Sequence, residues 1–128
     1  MKITIIYDNT AFKKDLQADW GFSALVEEQN TPKILFDTGG NGEILLSNME
    51  KLRIEPNSID EVFISHPHFD HVGGLSEFLN INQRARLYVP PSFRGVKGRE
   101  VVKMPAPAKI HKNVFSTGEL EGIEQSMG

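Results

Sequence analysis

The sequence predicts an α/β fold in which helices come to alternate with strands after an opening stretch of strand alone. Two observations carry this reading. Short, unbroken apolar runs at Ile34-Leu35-Phe36, Val62-Phe63-Ile64 and Leu87-Tyr88-Val89 read as strands buried on both faces. Between them, apolar residues recur with helical spacing, first at Ile44, Leu45, Met49 and Leu52, then at Leu75, Phe78 and Leu79.

Taken in order, Ile3, Ile5 and Tyr7 alternate with Lys2, Thr4 and Ile6 in an opening strand that stops at the turn sequence Asp8-Asn9-Thr10. Gly21 to Glu28 reads as a second strand, and Asn30-Thr31-Pro32 turns the chain into a third over Lys33 to Asp37. Gly39 and Gly40 break the pattern, and Asn41 is placed to cap a helix carrying Ile44, Leu45, Asn48, Met49 and Leu52. Glu55-Pro56-Asn57 ends that unit before a fourth strand, Glu61 to Ser65. Gly73-Gly74 leads into a short helix with Leu75, Phe78 and Leu79 inward, and Leu87 to Val89 forms a further strand closed by Pro90-Pro91. Residues 92–112, rich in glycine, proline and charge, read as an irregular basic loop or lid. Val114-Phe115 and Ile123 to Met127 are then expected to pair as a hairpin across Gly118-Glu119.

A chain of 128 residues suits one domain that buries roughly two thirds of its unfolded surface. With 39% hydrophobic and 24% charged residues it has the composition of a globular protein, which excludes collagen-like, coiled-coil and disordered classes. No apolar stretch approaches the roughly 20 residues of a membrane-spanning helix. The N-terminus enters a strand pattern at once, without a signal region, so the expected location is cytoplasmic. The absence of cysteine excludes disulfides and thiolate ligands, leaving nitrogen and oxygen donors for any metal. Charge is unevenly spread. Between Arg84 and Lys112 eight bases face one acid, Glu100, whereas the rest of the chain holds six bases and sixteen acids. Such a segment attracts anions, for instance a small anionic substrate, although lysine and arginine are as often plain surface residues. Few aromatics interleave with the bases, which argues against a nucleic-acid partner.

The chemistry is concentrated in His66-Pro67-His68-Phe69-Asp70-His71, which holds three of the four histidines directly after an apolar strand. Pro67 keeps His66 out of helical geometry, and in an extended chain residues two apart project to one side, so His66 and His68 are expected to share an ion. Asp70 and His71 follow once the chain has had room to turn, and approach a second ion or another side of the first. Imidazole with carboxylate suits zinc first, and iron or manganese where carboxylates and water complete the shell. A metal-free polar turn is the weaker reading, because imidazoles packed this closely repel one another on protonation.

The segment Ser65-His66-Pro67-His68-Phe69-Asp70-His71-Val72-Gly73-Gly74-Leu75 resembles the signature loop of the metallo-β-lactamase superfamily, His, any, His, any, Asp, His. Asp37, in Phe36-Asp37-Thr38-Gly39, resembles that family's earlier strand-end aspartate, which supports the metal site from behind its ligands. Tyr7-Asp8-Asn9-Thr10 and Trp20-Gly21-Phe22-Ser23-Ala24-Leu25-Val26-Glu27 further resemble the branch of pterin synthases that use ribofuranosylaminobenzene phosphate. The resemblance implies a four-layer αββα sandwich of which this chain supplies about the first half, in one partial domain over residues 1–128. It also implies that His66 and His68 hold one metal while Asp70 and His71 hold a second, with Asp70 the catalytic carboxylate. The chain departs from the family's pattern further on, having no aspartate after Asp70 and no histidine after His71 except His111. His111 reads as a solvated loop histidine rather than a substitute ligand. Half a sandwich leaves an apolar sheet face bare, so a homodimer or a second chain completing the fold is expected.

Two functional classes follow. One is a hydrolase in which a metal lowers the pKa of bound water toward about 7 for attack on an ester, thioester or phosphoester, with a pterin-synthase-like enzyme as a variant. The other is a shortened, non-catalytic module that keeps the metal loop without the later ligands.

Overall fold

The apolar triplets line up side by side. In the computed structural model, which describes residues 1–10, 15–96, 98–104, 107–111 and 114–116, six strands form one sheet in sequence order. They are β1 (Lys2–Tyr7), β2 (Ser23–Glu27), β3 (Ile34–Phe36), β4 (Glu61–Phe63), β5 (Arg86–Val89) and β6 (Val101–Lys103). β1 to β3 run antiparallel, and β3 to β6 run parallel. The parallel half needs crossovers, and helices supply two of them: α1 (Gly42–Lys51) between β3 and β4, and α2 (Phe69–Val72) with α3 (Leu75–Ile81) between β4 and β5.

Register assigns the faces. Leu25 pairs with Leu35, Leu35 with Val62, and Val62 with Leu87. This row packs with Leu45 and Met49 of α1 and Leu75, Phe78 and Leu79 of α3 in the buried core. α1 starts where expected: the Asn41 side chain accepts a hydrogen bond from the Ile44 amide at 3.1 Å. Asn48, the one polar residue on its inner face, is fully buried; its side-chain amide donates to the carbonyls of Ile6 and Gln17 and its carbonyl accepts from the Gln17 amide.

On the opposite face the row Ile5, Ala24, Phe36, Phe63 and Tyr88 crosses five strands. Phe63 and Tyr88 stack with ring centroids 4.6 Å apart. Ile3, Phe36 and Val102 remain exposed. Glu61 also lies on this face and is nearly buried. It accepts hydrogen bonds from the Tyr88 hydroxyl at 3.3 Å and from His111 Nε2 at 2.8 and 2.9 Å.

The segment 92–112 departs from the irregular excursion expected of it. It contributes β6 to the main sheet and β7 (Ala108–His111), which pairs antiparallel with β8 (Val114–Ser116). Val114 and Phe115 thus join a hairpin with the strand before them; Gly118, Glu119 and residues 123–127 lie outside the described residues. His111 is correspondingly not a solvated loop histidine. It is half-buried in β7 against Glu61, because a carboxylate placed on a sheet face must find a donor. That contact sets the hairpin over the face opposite the helices. Arg84 and Arg99 are also used internally: Arg84 binds Asp60 and the Asn57 carbonyl, and Arg99 donates to the carbonyls of Asn82 and Ala85. Lys97 and Lys112 lie outside the described residues.

Candidate metal centre

The parallel strands β3 and β4 end side by side, and the residues just beyond their C-terminal ends build the site, as is usual in α/β sheets. Asp37 leaves β3 with its amide bonded to the Phe63 carbonyl at 2.8 Å, then adopts a left-handed backbone with φ of 58°. That conformation costs a non-glycine residue on the order of 1–3 kcal/mol and turns the carboxylate under the loop after β4. The carboxylate is fully buried and fully used. Oδ1 accepts from the Ser65 amide at 2.7 Å, and Oδ2 accepts from the Ser65 hydroxyl at 2.6 Å and from His71 Nδ1 at 2.7 Å. Burial pushes its pKa up, while the Ser65 and His71 bonds oppose the rise.

After Ile64 the chain bends at Ser65, and His68, with an extended backbone, occupies the N-cap position of the one-turn helix α2 without a side-chain cap hydrogen bond. This turn reverses the chain so that Asp70 and His71 come back toward His66. Thr38 fastens the far end, its amide and hydroxyl both donating to the His71 carbonyl, at 2.8 and 2.9 Å. Close approach here requires glycine at 73, where a Cβ would lie 2.3 Å from the Gly40 carbonyl oxygen. From the other side the Phe22 amide donates to the Asp70 carbonyl at 3.3 Å.

The result is a convergent donor set. His66, Asp70 and His71 each present a ligand atom, all within 4.8 Å of one another, and all three residues are partly buried. The rings of His66 and His71 lie 4.1 Å apart between centroids. His71 Nε2 stands 3.5 Å from Asp70 Oδ2, and Asp70 Oδ1 is buried without a hydrogen-bond partner among the described residues. A buried, unsatisfied carboxylate oxygen beside two imidazoles suits a divalent cation, since the ion supplies the missing partner. Burial, followed by the neighbouring rings of His71 and His68, pulls the pKa of His66 down, in the direction of the neutral imidazole that ligation needs.

His68 stands beside His66 with ring centroids 4.7 Å apart and nearly perpendicular, but it is exposed and lies outside that convergent group. His111 is committed to Glu61. Ser65 is the residue that sequence reasoning passed over; its only signal was a hydroxyl directly before the first histidine.

This fold and donor set define a class of protein. The sequence profile of the metallo-beta-lactamase superfamily matches residues 21–125, and the chain belongs to that superfamily. Among its relatives is the 7,8-dihydropterin-6-methyl-4-(beta-D-ribofuranosyl)-aminobenzene-5'-phosphate synthase of Methanocaldococcus jannaschii, 36% identical over 95% of this chain and 51% of the synthase. A UPF0173 metal-dependent hydrolase of Saccharolobus solfataricus is 26% identical over 70% of this chain and 43% of its own length. The Rm3 metallo-beta-lactamase shares the fold with a TM-score of 0.57 at 20% identity, over 88% of this chain and 49% of that one. The chain thus spans about half the length of the synthase it matches and supplies about the first half of the superfamily's α/β sandwich.

Proposed function

We propose that this chain is the metal-holding half of a metal-dependent hydrolase, with His66, Asp70 and His71 as ligands and His68 joining them by rotation of its exposed side chain. The observation that carries the reading is the convergence of these three residues around an unsatisfied buried oxygen of Asp70. Zinc is the ion that best suits this donor set, with iron or manganese next. A bound ion would acidify water and polarise the bond under attack in an ester, thioester or phosphoester. Asp70 would hold that ion and orient the attacking water, and Asp37 would fix the ring of His71. The remaining ligands would come from a second copy, another chain or further sequence, so the isolated 128 residues are expected to bind metal with weak turnover or none. A small anionic substrate fits the basic segment, and a cytoplasmic setting is part of the same proposal.

A second reading, a pterin-synthase-like enzyme, is favoured by the identity with the methanogen synthase across 95% of this chain. The two are separated by assaying the protein, together with whatever completes it, on generic esters and phosphodiesters. The metal centre itself is tested by equilibrium dialysis of the chain against zinc. About one ion should be retained per chain, and His66→Ala and Asp70→Ala should each weaken retention by more than about ten-fold. Retention far below one ion, or variants that bind like the parent, would remove the basis of the proposal.

A further inference from the structure

We infer that Ser65 is a positioning residue that sets the tautomer of His66, so that one buried carboxylate, Asp37, orients two imidazoles: His71 directly and His66 through the Ser65 hydroxyl. The inference deepens the metal-binding reading above and rests on it.

It follows from counting hydrogens. Three short contacts form a chain: His71 Nδ1 to Asp37 Oδ2 at 2.7 Å, Ser65 Oγ to Asp37 Oδ2 at 2.6 Å, and Ser65 Oγ to His66 Nδ1 at 2.8 Å. An ionised carboxylate only accepts, so both the hydroxyl and His71 Nδ1 must donate to it. Serine has a single hydrogen. Once that hydrogen points at Asp37, the hydroxyl can meet His66 Nδ1 only as an acceptor, and His66 must carry its proton on Nδ1. Both rings are thereby left with a bare Nε2, the lone pair a cation needs. Free histidine in water favours the opposite tautomer, so the network selects the form competent to ligate through Nε2. The Ser65 amide on Asp37 Oδ1 at 2.7 Å locks the carboxylate plane and keeps the hydroxyl in register. The reverse polarity, with a protonated Asp37 donating to Ser65 and Ser65 donating to His66, would block Nε2 of His66 with hydrogen. The two arrangements therefore predict opposite spectra.

The test is long-range proton–nitrogen correlation NMR of the histidine side chains in the metal-free chain, recorded with pH raised until the ring nitrogen shifts stop changing. The parent should show His66 and His71 both protonated on Nδ1. Ser65→Ala should return His66 toward the Nε2-protonated form while His71 is unchanged, and Ser65→Thr, which keeps a hydroxyl, should restore the parent signature. Zinc affinity, read by competition with a chromophoric chelator, should fall about 10- to 100-fold in Ser65→Ala and recover in Ser65→Thr. A parent whose His66 carries its proton on Nε2, or a folded Ser65→Ala whose His66 is unmoved, would overturn the relay. Should Ser65→Ala fail to fold, the parent spectrum alone decides. A parent with the stated tautomers that nonetheless binds no zinc would leave the relay standing and sink the metal reading instead.

Discussion

At the scale of single residues, the site depends on backbone positions that tolerate no side chain as much as on the ligands themselves. Gly21 illustrates this. Its φ of 132° is one that side-chain-bearing residues rarely adopt, and a Cβ there would sit 2.2 Å from the carbonyl oxygen of Asp70. Gly21→Ala should therefore displace the metal loop as well as strain β2's approach, lowering stability by about 1–3 kcal/mol and weakening zinc retention. Thermal unfolding with and without zinc checks both; an alanine variant with parental zinc binding would show that the loop does not lean on this contact. The candidate ligands stood out in the sequence because four chemistry-bearing residues fall within six positions, a density that hydrophobic patterning does not produce; the structure brings His66, Asp70 and His71 together and leaves His68 outside the group. Asp37 was legible only through resemblance, since a lone aspartate at a strand end has many ordinary uses. Ser65 was not legible, because its role depends on two hydrogen bonds formed across 28 residues of chain.

At the scale of elements, β3, β4, β5 and α1 were legible because propensity and pattern agree: unbroken apolar triplets lie at the centre of the sheet, and a cap and a helical stripe define α1. The burial on both faces expected of those triplets does not extend to Phe36, which is exposed. β6 and β7 were missed for the converse reason. β6 is three residues long at the sheet edge, with Val102 and Lys103 exposed, so it carries little of the hydrophobic signal that marks a central strand. The β7–β8 hairpin is held to the main sheet through Glu61 and His111. Removing that carboxylate tests the attachment. In Glu61→Ala, amide exchange in residues 108–111 and 114–116 should speed up at least about ten-fold, while α1 and the central strands keep their protection. Uniform exchange across all elements would mean that the hairpin is held by something else.

At the scale of the whole molecule, the sheet is clothed on one face by α1 and α3 and only partly on the other, where Ile3, Phe36 and Val102 stay exposed among the described residues. We propose that these apolar side chains are covered in the complete protein. The isolated chain should elute from size-exclusion chromatography as a dimer or larger species, or bind an apolar-surface dye as a monomer. A monomer that binds no dye would show the face to be sealed. The overall architecture was legible from the order of elements. What covers this face was not, because side chains on a half-exposed sheet look alike whether they await a partner or merely face water.

The contacts described here that orient His66 and His71 are made within the stretch from Asp37 to His71. A ribosome finishes that stretch before it reaches the hairpin. The scaffold behind the two rings is therefore independent, in sequence order, of everything from the hairpin onward.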